Sequence, residues 1–231
     1  MRKISFKSLK SNKLDLVVLV GGKGTRIKEY LNGLPKPMAK FNNIHFLQYI
    51  LNLFSKYPFK RIFLLTKYKS NIIFNKFHNK KINFIKIICI KEKKQMGTGG
   101  ALNNLKNKIQ DFVLINGDTL FDINLDDLIK SLKKENICSI ALTKKLKQKS
   151  KKLNSLEIKK NLVKYKLNGS LINGGIYFFK KKIFNYIPNK HCSLENDILP
   201  KFIKKGKVNG KSFNNFFIDI GSKEYFKKAS K

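Results

Sequence analysis

Six consecutive residues carry the clearest chemical signal in this chain, Gly21-Gly22-Lys23-Gly24-Thr25-Arg26, and Pro35-Lys36-Pro37-Met38 follows shortly after. Three glycines in four positions let main-chain N–H groups approach an anion, because no Cβ stands in the way and a left-handed backbone is accessible. Lys23, Arg26 and Lys36 add cations where a polyphosphate would lie. Two other phosphate loops are excluded by spacing. The Walker pattern of four residues between Gly and Gly-Lys-Ser/Thr is absent, and the dinucleotide fingerprint needs a glycine where Ile27 stands. For the glycines alone, a plain turn between two elements is the alternative. A second signal is acidic: the apolar run Phe112-Val113-Leu114-Ile115 ends in Asn116-Gly117-Asp118. A carboxylate closing a central strand just after a glycine suits Mg²⁺, and a solvated turn aspartate is the competing reading.

The elements that must position these residues follow from hydrophobic patterning. Leu16 to Val20 reads as a buried strand. Asn42 or Asn43 is predicted to cap a helix carrying Ile44, Leu47, Ile50, Leu51 and Phe54, which Pro58 ends. Arg61 to Thr66 is the next strand, completing a βαβ unit that puts the glycine loop at a strand's carboxyl end, where such sheets bind ligands. A short helix over Ile72 to Phe77 and a strand over Phe84 to Ile90 come next. Met96-Gly97-Thr98-Gly99-Gly100 is a glycine-rich turn opening a helix and offers N–H groups, although by itself it reads as a loop. Further on, the pattern predicts a helix over Leu125 to Leu132, a strand over Ile137 to Thr143, and a hairpin of Leu156 to Ile158 with Leu162 to Tyr165. A strand over Leu171 to Phe179, a Ser193-capped helix, a strand over Phe216 to Asp219 and, after a turn at Gly221, a last helix complete the pattern. Residues 1–13 form a basic arm, residues 14–231 one domain, and Lys144 to Lys152 a solvated loop.

Composition sets the bounds. The chain has 231 residues, with 50 Lys+Arg against 14 Asp+Glu and a formal charge of +36. Such a field suits nucleic acid, but the arginines are only Arg2, Arg26 and Arg61, and the lysines are spread over the whole chain. Specific readers of bases favour the bidentate arginine, so a drift in composition is preferred and no specific nucleic acid is expected. Cys89, Cys138 and Cys192 are too widely spaced for a zinc site and odd in number, and read as free thiols in a reducing cytoplasm. Neither a signal peptide nor a membrane span is predicted.

The block Gly-Gly-x-Gly-Thr-Arg with Pro-Lys-Pro-Met resembles the sugar-1-phosphate nucleotidylyltransferases, and further blocks in the same order extend the resemblance from Asp15 to the C-terminus. It implies an α/β fold, a Rossmann-like three-layer sandwich with a central mixed, mostly parallel sheet of the nucleotide-diphospho-sugar transferase type. It also implies in-line attack of a sugar 1-phosphate oxygen on the α-phosphorus of a nucleoside triphosphate, with Mg²⁺ as cofactor. By this resemblance Arg26 and Lys36 are catalytic, Gly21, Gly22, Gly24, Thr25, Gly97 and Thr98 bind the nucleotide, and Asp118 and Asp219 hold the metal. Asn173, Gly175 and Glu195 would bind the sugar, although capping by Ser193 is the simpler role for the segment around Glu195. The family's glutamate after the hairpin has no match here, and Lys166 stands near the place of its lysine. The base loop is similar to that of guanylyl-transferring branches, and the nearest branch acts on D-glycero-D-manno-heptose 1-phosphate with GTP. Mannose 1-phosphate guanylyl transfer and glucose 1-phosphate thymidylyl or uridylyl transfer are the alternatives. An inactive regulatory paralogue and a basic nucleic-acid-binding protein are the rivals from other classes. No hexapeptide repeat follows, so no acyltransferase β-helix is expected. The partners implied are a nucleoside triphosphate and a sugar 1-phosphate, with no membrane; a homo-oligomer is compatible with the chain.

Overall fold

The structure, a computed structural model, describes residues 14–144, 155–221, 223, 224 and 226. The basic arm and nearly all of the lysine-rich loop lie outside them. In chain order the strands are β1 (Asp15–Leu19), β2 (Lys40–Phe41), β3 (Ile44–His45), β4 (Arg61–Thr66), β5 (Lys81–Ile82), β6 (Ile85–Lys91) and β7 (Phe112–Asn116). They continue with β8 (Thr119–Phe121), β9 (Cys138–Lys144), β10 (Leu156–Lys159), β11 (Leu162–Tyr165), β12 (Leu171–Phe179), β13 (Val208–Ser212) and β14 (Phe217–Asp219). The α-helices are α1 (Phe46–Phe54), α2 (Ser70–Phe77), α3 (Gly97–Gly100), α4 (Leu125–Lys130) and α5 (Leu199–Lys204). The expected α/β class with a central mixed, mostly parallel sheet is the class found. The described residues form two compact units: those within 14–95, 115–122 and 217–226 in the first, those within 96–114 and 123–216 in the second.

In the first unit β1, β4 and β6 run parallel, with Leu16 opposite Ile62 and Leu64 opposite Cys89, and β5 adds an antiparallel edge. Leu16, Val17 and Val18 are fully buried, which is what an uninterrupted aliphatic run signals for a strand covered on both faces. Asp15 is also buried, and Arg61 satisfies it through Nε at 2.9 Å and Nη2 at 2.8 Å. One of the three arginines therefore ties two neighbouring strands together. The cap expected at Asn42 or Asn43 is not there. Both asparagines adopt left-handed backbone, φ 48° and 61°, and form the turn between β2 and β3, so α1 starts at Phe46. Asparagine tolerates this conformation better than other residues with a Cβ, and two in succession suit a two-residue hairpin turn. Asn83 and Phe84 make a similar turn, which removes Phe84 from β6 and leaves it exposed.

In the second unit β12 pairs antiparallel and β13 parallel with β9, and β10 and β11 form the expected hairpin. Stacked Phe112, Phe179 and Phe184 rings fill its core. α4 ends at Lys130, earlier than the apolar spacing to Leu132 indicates. Ser193 caps as expected, accepting from Asn196 N–H, but the first turn is π-helical over Leu194–Ile198 before α5 begins with Pro200 in its first turn. The three cysteines are free and buried; burial pushes the Cys89 thiol up to about 12 and raises Cys138 and Cys192 as well. No helix among the described residues is long and apolar enough to cross a membrane.

Candidate active site

The first unit gathers the cationic and acidic candidates. The glycine loop follows β1, as expected, and Gly24 takes a left-handed backbone, φ 67°, at the entry to a 3₁₀ turn over Thr25–Tyr30. A Cβ on Gly24 would lie 2.9 Å from Lys36 Cβ, so the loop packs directly on the lysine. Gly22 differs, because a Cβ there would meet nothing within 4 Å. Its missing side chain leaves space where no part of the described protein reaches. Thr25 and Arg26 are exposed beside it.

Lys36 is 8% exposed, on the 3₁₀ turn Lys36–Met38 that Pro35 and Pro37 shape, and its ammonium forms an ion pair with Asp118 Oδ2. Asp118 sits just beyond β7. The backbone is held there by Gly117, whose N–H donates to Leu19 O at 2.9 Å and whose Cβ, if present, would lie 2.5 Å from that oxygen. The second aspartate arrives through a pairing the sequence did not disclose. β14 runs antiparallel to β8 with Asp219 opposite Thr119, and Ile220 N–H donates to Asp118 O at 3.0 Å. Two carboxylates far apart in the chain thereby become neighbours. Gly221 closes the cluster: its N–H donates to Asp219 Oδ1 at 2.7 Å, and a Cβ would lie 2.7 Å from Lys36 Nζ.

The electrostatics agree with this crowding. Burial raises the Asp219 carboxyl above its ordinary value and the charge of Asp118 adds to the rise, while Lys36, the Gly221 N–H and Arg26 act in the opposite direction. A partly desolvated pair of like charges fits a divalent cation, which removes the repulsion. Among the described residues no group of three or more His, Cys, Asp and Glu could hold an ion. A pair of carboxylates completed by water and substrate phosphates is the Mg²⁺ pattern. Asn116 was overlooked in the sequence. Its Oδ1 is buried with no hydrogen-bond partner among the described residues, two residues before Asp118, and the signal in the sequence is a polar residue closing an apolar strand.

The second unit holds the other candidates. Gly97 has φ 74°, and a Cβ there would lie 2.4 Å from Cys192 O. The N–H groups of Gly99 and Gly100 both donate to that same carbonyl, at 3.0 and 3.2 Å. Two of the amides at this glycine-rich helix start, those of Gly99 and Gly100, are therefore used within the chain. Thr98 Oγ donates to Glu195 Oε2 at 2.6 Å and accepts from Leu194 N–H at 2.8 Å. Asn173 Oδ1 accepts from Gly175 N–H at 2.9 Å, and its Nδ2 donates to the Tyr177 hydroxyl at 2.7 Å. These bonds hold the irregularity in β12 where Gly175 turns left-handed, φ 72°, so half of the Asn173 amide is spent locally. Lys166 pairs with Glu157 of β10 at 2.9 Å, and that hydrogen bond holds the Glu157 carboxyl below its ordinary value.

The nucleotidyl transferase family profile matches residues 16–231. The chain belongs to that family. Over 219 residues this nucleotidyl transferase is 34% identical to the D-glycero-alpha-D-manno-heptose 1-phosphate guanylyltransferase of Campylobacter jejuni, covering 91% of this chain and 96% of that one. With the enzyme of the same description from Aneurinibacillus thermoaerophilus the identity is 33%, over 94% and 97%. Among solved structures, HddC from Yersinia pseudotuberculosis superposes with a TM-score of 0.79 at 31% identity, covering 94% of this chain and 98% of that protein. HddC has also been solved in complex with GMP-PN.

Proposed function

We propose that this nucleotidyl transferase moves a guanylyl group from GTP to D-glycero-D-manno-heptose 1-phosphate and releases pyrophosphate. The observation that carries the reaction class is the convergence of Lys36, Asp118 and Asp219 around Gly221, beside a glycine loop that leaves room at Gly22. The substrate pair is supported by the two heptose 1-phosphate guanylyltransferases and by the GMP-PN complex of HddC.

In this reading Gly21, Gly22, Gly24 and Thr25 bind the triphosphate through main-chain N–H groups, while Arg26 and Lys36 neutralise charge that builds up at the α-phosphorus. Asp118 and Asp219 would hold Mg²⁺, which supplies Lewis-acid polarisation of phosphate oxygens when bound. The family is generally dependent on a divalent metal. The attacking oxygen of a sugar phosphate is already ionised at neutral pH, so the chain needs no general base, only alignment of the two substrates. Gly97 and Thr98 would lie along the guanine, and Asn173, Gly175 and Glu195 along the sugar. A substrate that is a cytosolic nucleotide supports a cytoplasmic location.

A panel crossing four nucleoside triphosphates with several sugar 1-phosphates, read by pyrophosphate release, tests the proposal. GTP with heptose 1-phosphate should give the highest kcat/KM and mannose 1-phosphate the next. A higher value for dTTP or UTP with glucose 1-phosphate would keep the family and overturn the branch.

A further inference from the structure

The second unit contains a small network that the assignment of Thr98 to the nucleotide does not explain. Glu195 Oε2 accepts two hydroxyl protons, from Thr98 at 2.6 Å and from Ser193 at 3.2 Å. Each hydroxyl is itself fixed by a backbone amide: Leu194 N–H donates to Thr98 Oγ at 2.8 Å, and Asn196 N–H donates to Ser193 Oγ at 3.1 Å. A hydroxyl has one proton, and once an N–H occupies a lone pair the rotor has little choice but to aim that proton at the remaining acceptor. The contact from Thr98 falls in the range of a charge-assisted O–H···O⁻ bond. The carboxylate is thus clamped through one oxygen, and Oε1 makes no hydrogen bond among the described residues.

The backbone below this clamp is equally committed. Cys192 O accepts from Gly99 and Gly100, Cys192 N–H donates to Met96 O at 2.9 Å, and Gly97 has no room for a side chain against Cys192. The segments 96–100 and 191–195 are therefore held in one fixed relation, and the Thr98 side chain is the part of that relation that ends on a carboxylate.

We propose that Thr98 is a positioning residue for the sugar: its hydroxyl, with that of Ser193, locks Glu195 in the rotamer that presents Oε1 to a hydroxyl of the sugar 1-phosphate. The inference rests on the reading of Glu195 as a sugar ligand and moves the Thr98 side chain from the nucleotide to the sugar. Selectivity among sugars that differ in one hydroxyl then depends on a residue of the base loop that touches neither substrate with its side chain.

The test uses the full chain, with Thr98→Val, Thr98→Ser, Glu195→Gln and the Thr98→Val/Glu195→Gln double variant, each checked by thermal denaturation. Should Thr98→Val not fold, Thr98→Ala carries the same comparison with a smaller side chain. The parent is first run on the substrate panel. If it turns over no sugar 1-phosphate, the proposed function fails and this inference falls with it; if it prefers another sugar, the experiment proceeds with that sugar. Thr98→Val should raise KM for the sugar 1-phosphate about tenfold, the loss expected for one hydrogen bond to a charged group, and leave KM for the nucleotide within about twofold. Thr98→Ser should restore the parent value. In the Glu195→Gln background Thr98→Val should add less than about twofold, because the oriented carboxylate is already gone. A rise confined to the nucleotide KM, equal rises in both, no change in either, or full additivity with Glu195→Gln would overturn the assignment while leaving the proposed function standing.

Discussion

The two glycine-rich loops look alike in sequence and behave differently in structure. In the first unit Gly21 and Gly24 are close-packed but Gly22 leaves space, since a Cβ there meets nothing, and the surroundings are cations and carboxylates drawn together at some electrostatic expense. In the second, Gly97, Gly99 and Gly100 fill space, each pressed against the backbone or side chains of residues 190–194 with two amides consumed by one carbonyl. The first loop keeps one open glycine position, Gly22, whereas every glycine of the second is closed by a neighbour. The difference shows that a glycine count carries little meaning until it is known what stands where each Cβ would be.

The sharpest way to break this contrast is to remove the acids on one side of it. Asp118→Asn and Asp219→Asn should each lower kcat by at least about 10²-fold, since each takes a charge from the pair proposed to hold Mg²⁺. EDTA should abolish turnover of the parent. The two variants should part company in stability. Asp219 has a raised pKa, so its ionised form opposes folding: that opposition is absent below the ordinary carboxylate range and fully present once pH exceeds the folded-state value. Without metal, the parent should therefore lose stability as pH rises through that window, and Asp219→Asn should not. Thermal melts in EDTA across this range check it; a Tm for Asp219→Asn below that of the parent at neutral pH would remove the crowding argument.

Next in size is Lys36→Met, which removes a nearly buried ammonium and leaves Asp118 and Asp219 without their closest cation. A loss of about 10²-fold in kcat is expected from a group that stabilises transition-state charge. Activity within about twofold of the parent would reduce Lys36 to a structural partner of Asp118.

A pair of alanine substitutions tests the loops against each other. Gly97→Ala places a side chain on a left-handed backbone and 2.4 Å from a carbonyl oxygen, and should lower stability by more than the ~1–2 kcal/mol that the backbone conformation alone costs. Gly22→Ala meets no neighbour and should stay within about 0.5 kcal/mol of the parent, as surface substitutions do, while raising KM for GTP. Denaturant titration with steady-state kinetics separates the two. Equal stability losses would show that both loops are packing devices.

The smallest effect concerns charge. If the excess of lysine reflects composition, DNA and RNA should bind weakly, without sequence preference, and dissociate steeply with salt. Tight binding of one defined RNA at physiological salt, measured by fluorescence anisotropy, would revive the nucleic-acid reading.

Much of this molecule was legible in its letters, because the signals were local. An aliphatic run makes β1 a buried strand, Gly-Gly-x-Gly-Thr-Arg makes a loop at its end, and Ser193 caps the turn it precedes. Asn42 and Asn43 misled for an equally local reason, since the same residue type serves helix caps and left-handed turns and only the β2–β3 pairing chooses between them. Tertiary structure alone decided which distant groups meet. Asp118 and Asp219 become neighbours through the pairing of β8, three residues long, with β14, and neither strand is long enough to announce its partner. The same holds for Thr98 and Glu195, joined by a hydrogen bond across 97 positions. Periodicity reports which way a side chain faces; which other face it meets depends on the packing of the whole chain, and the chemistry proposed here rests on those meetings.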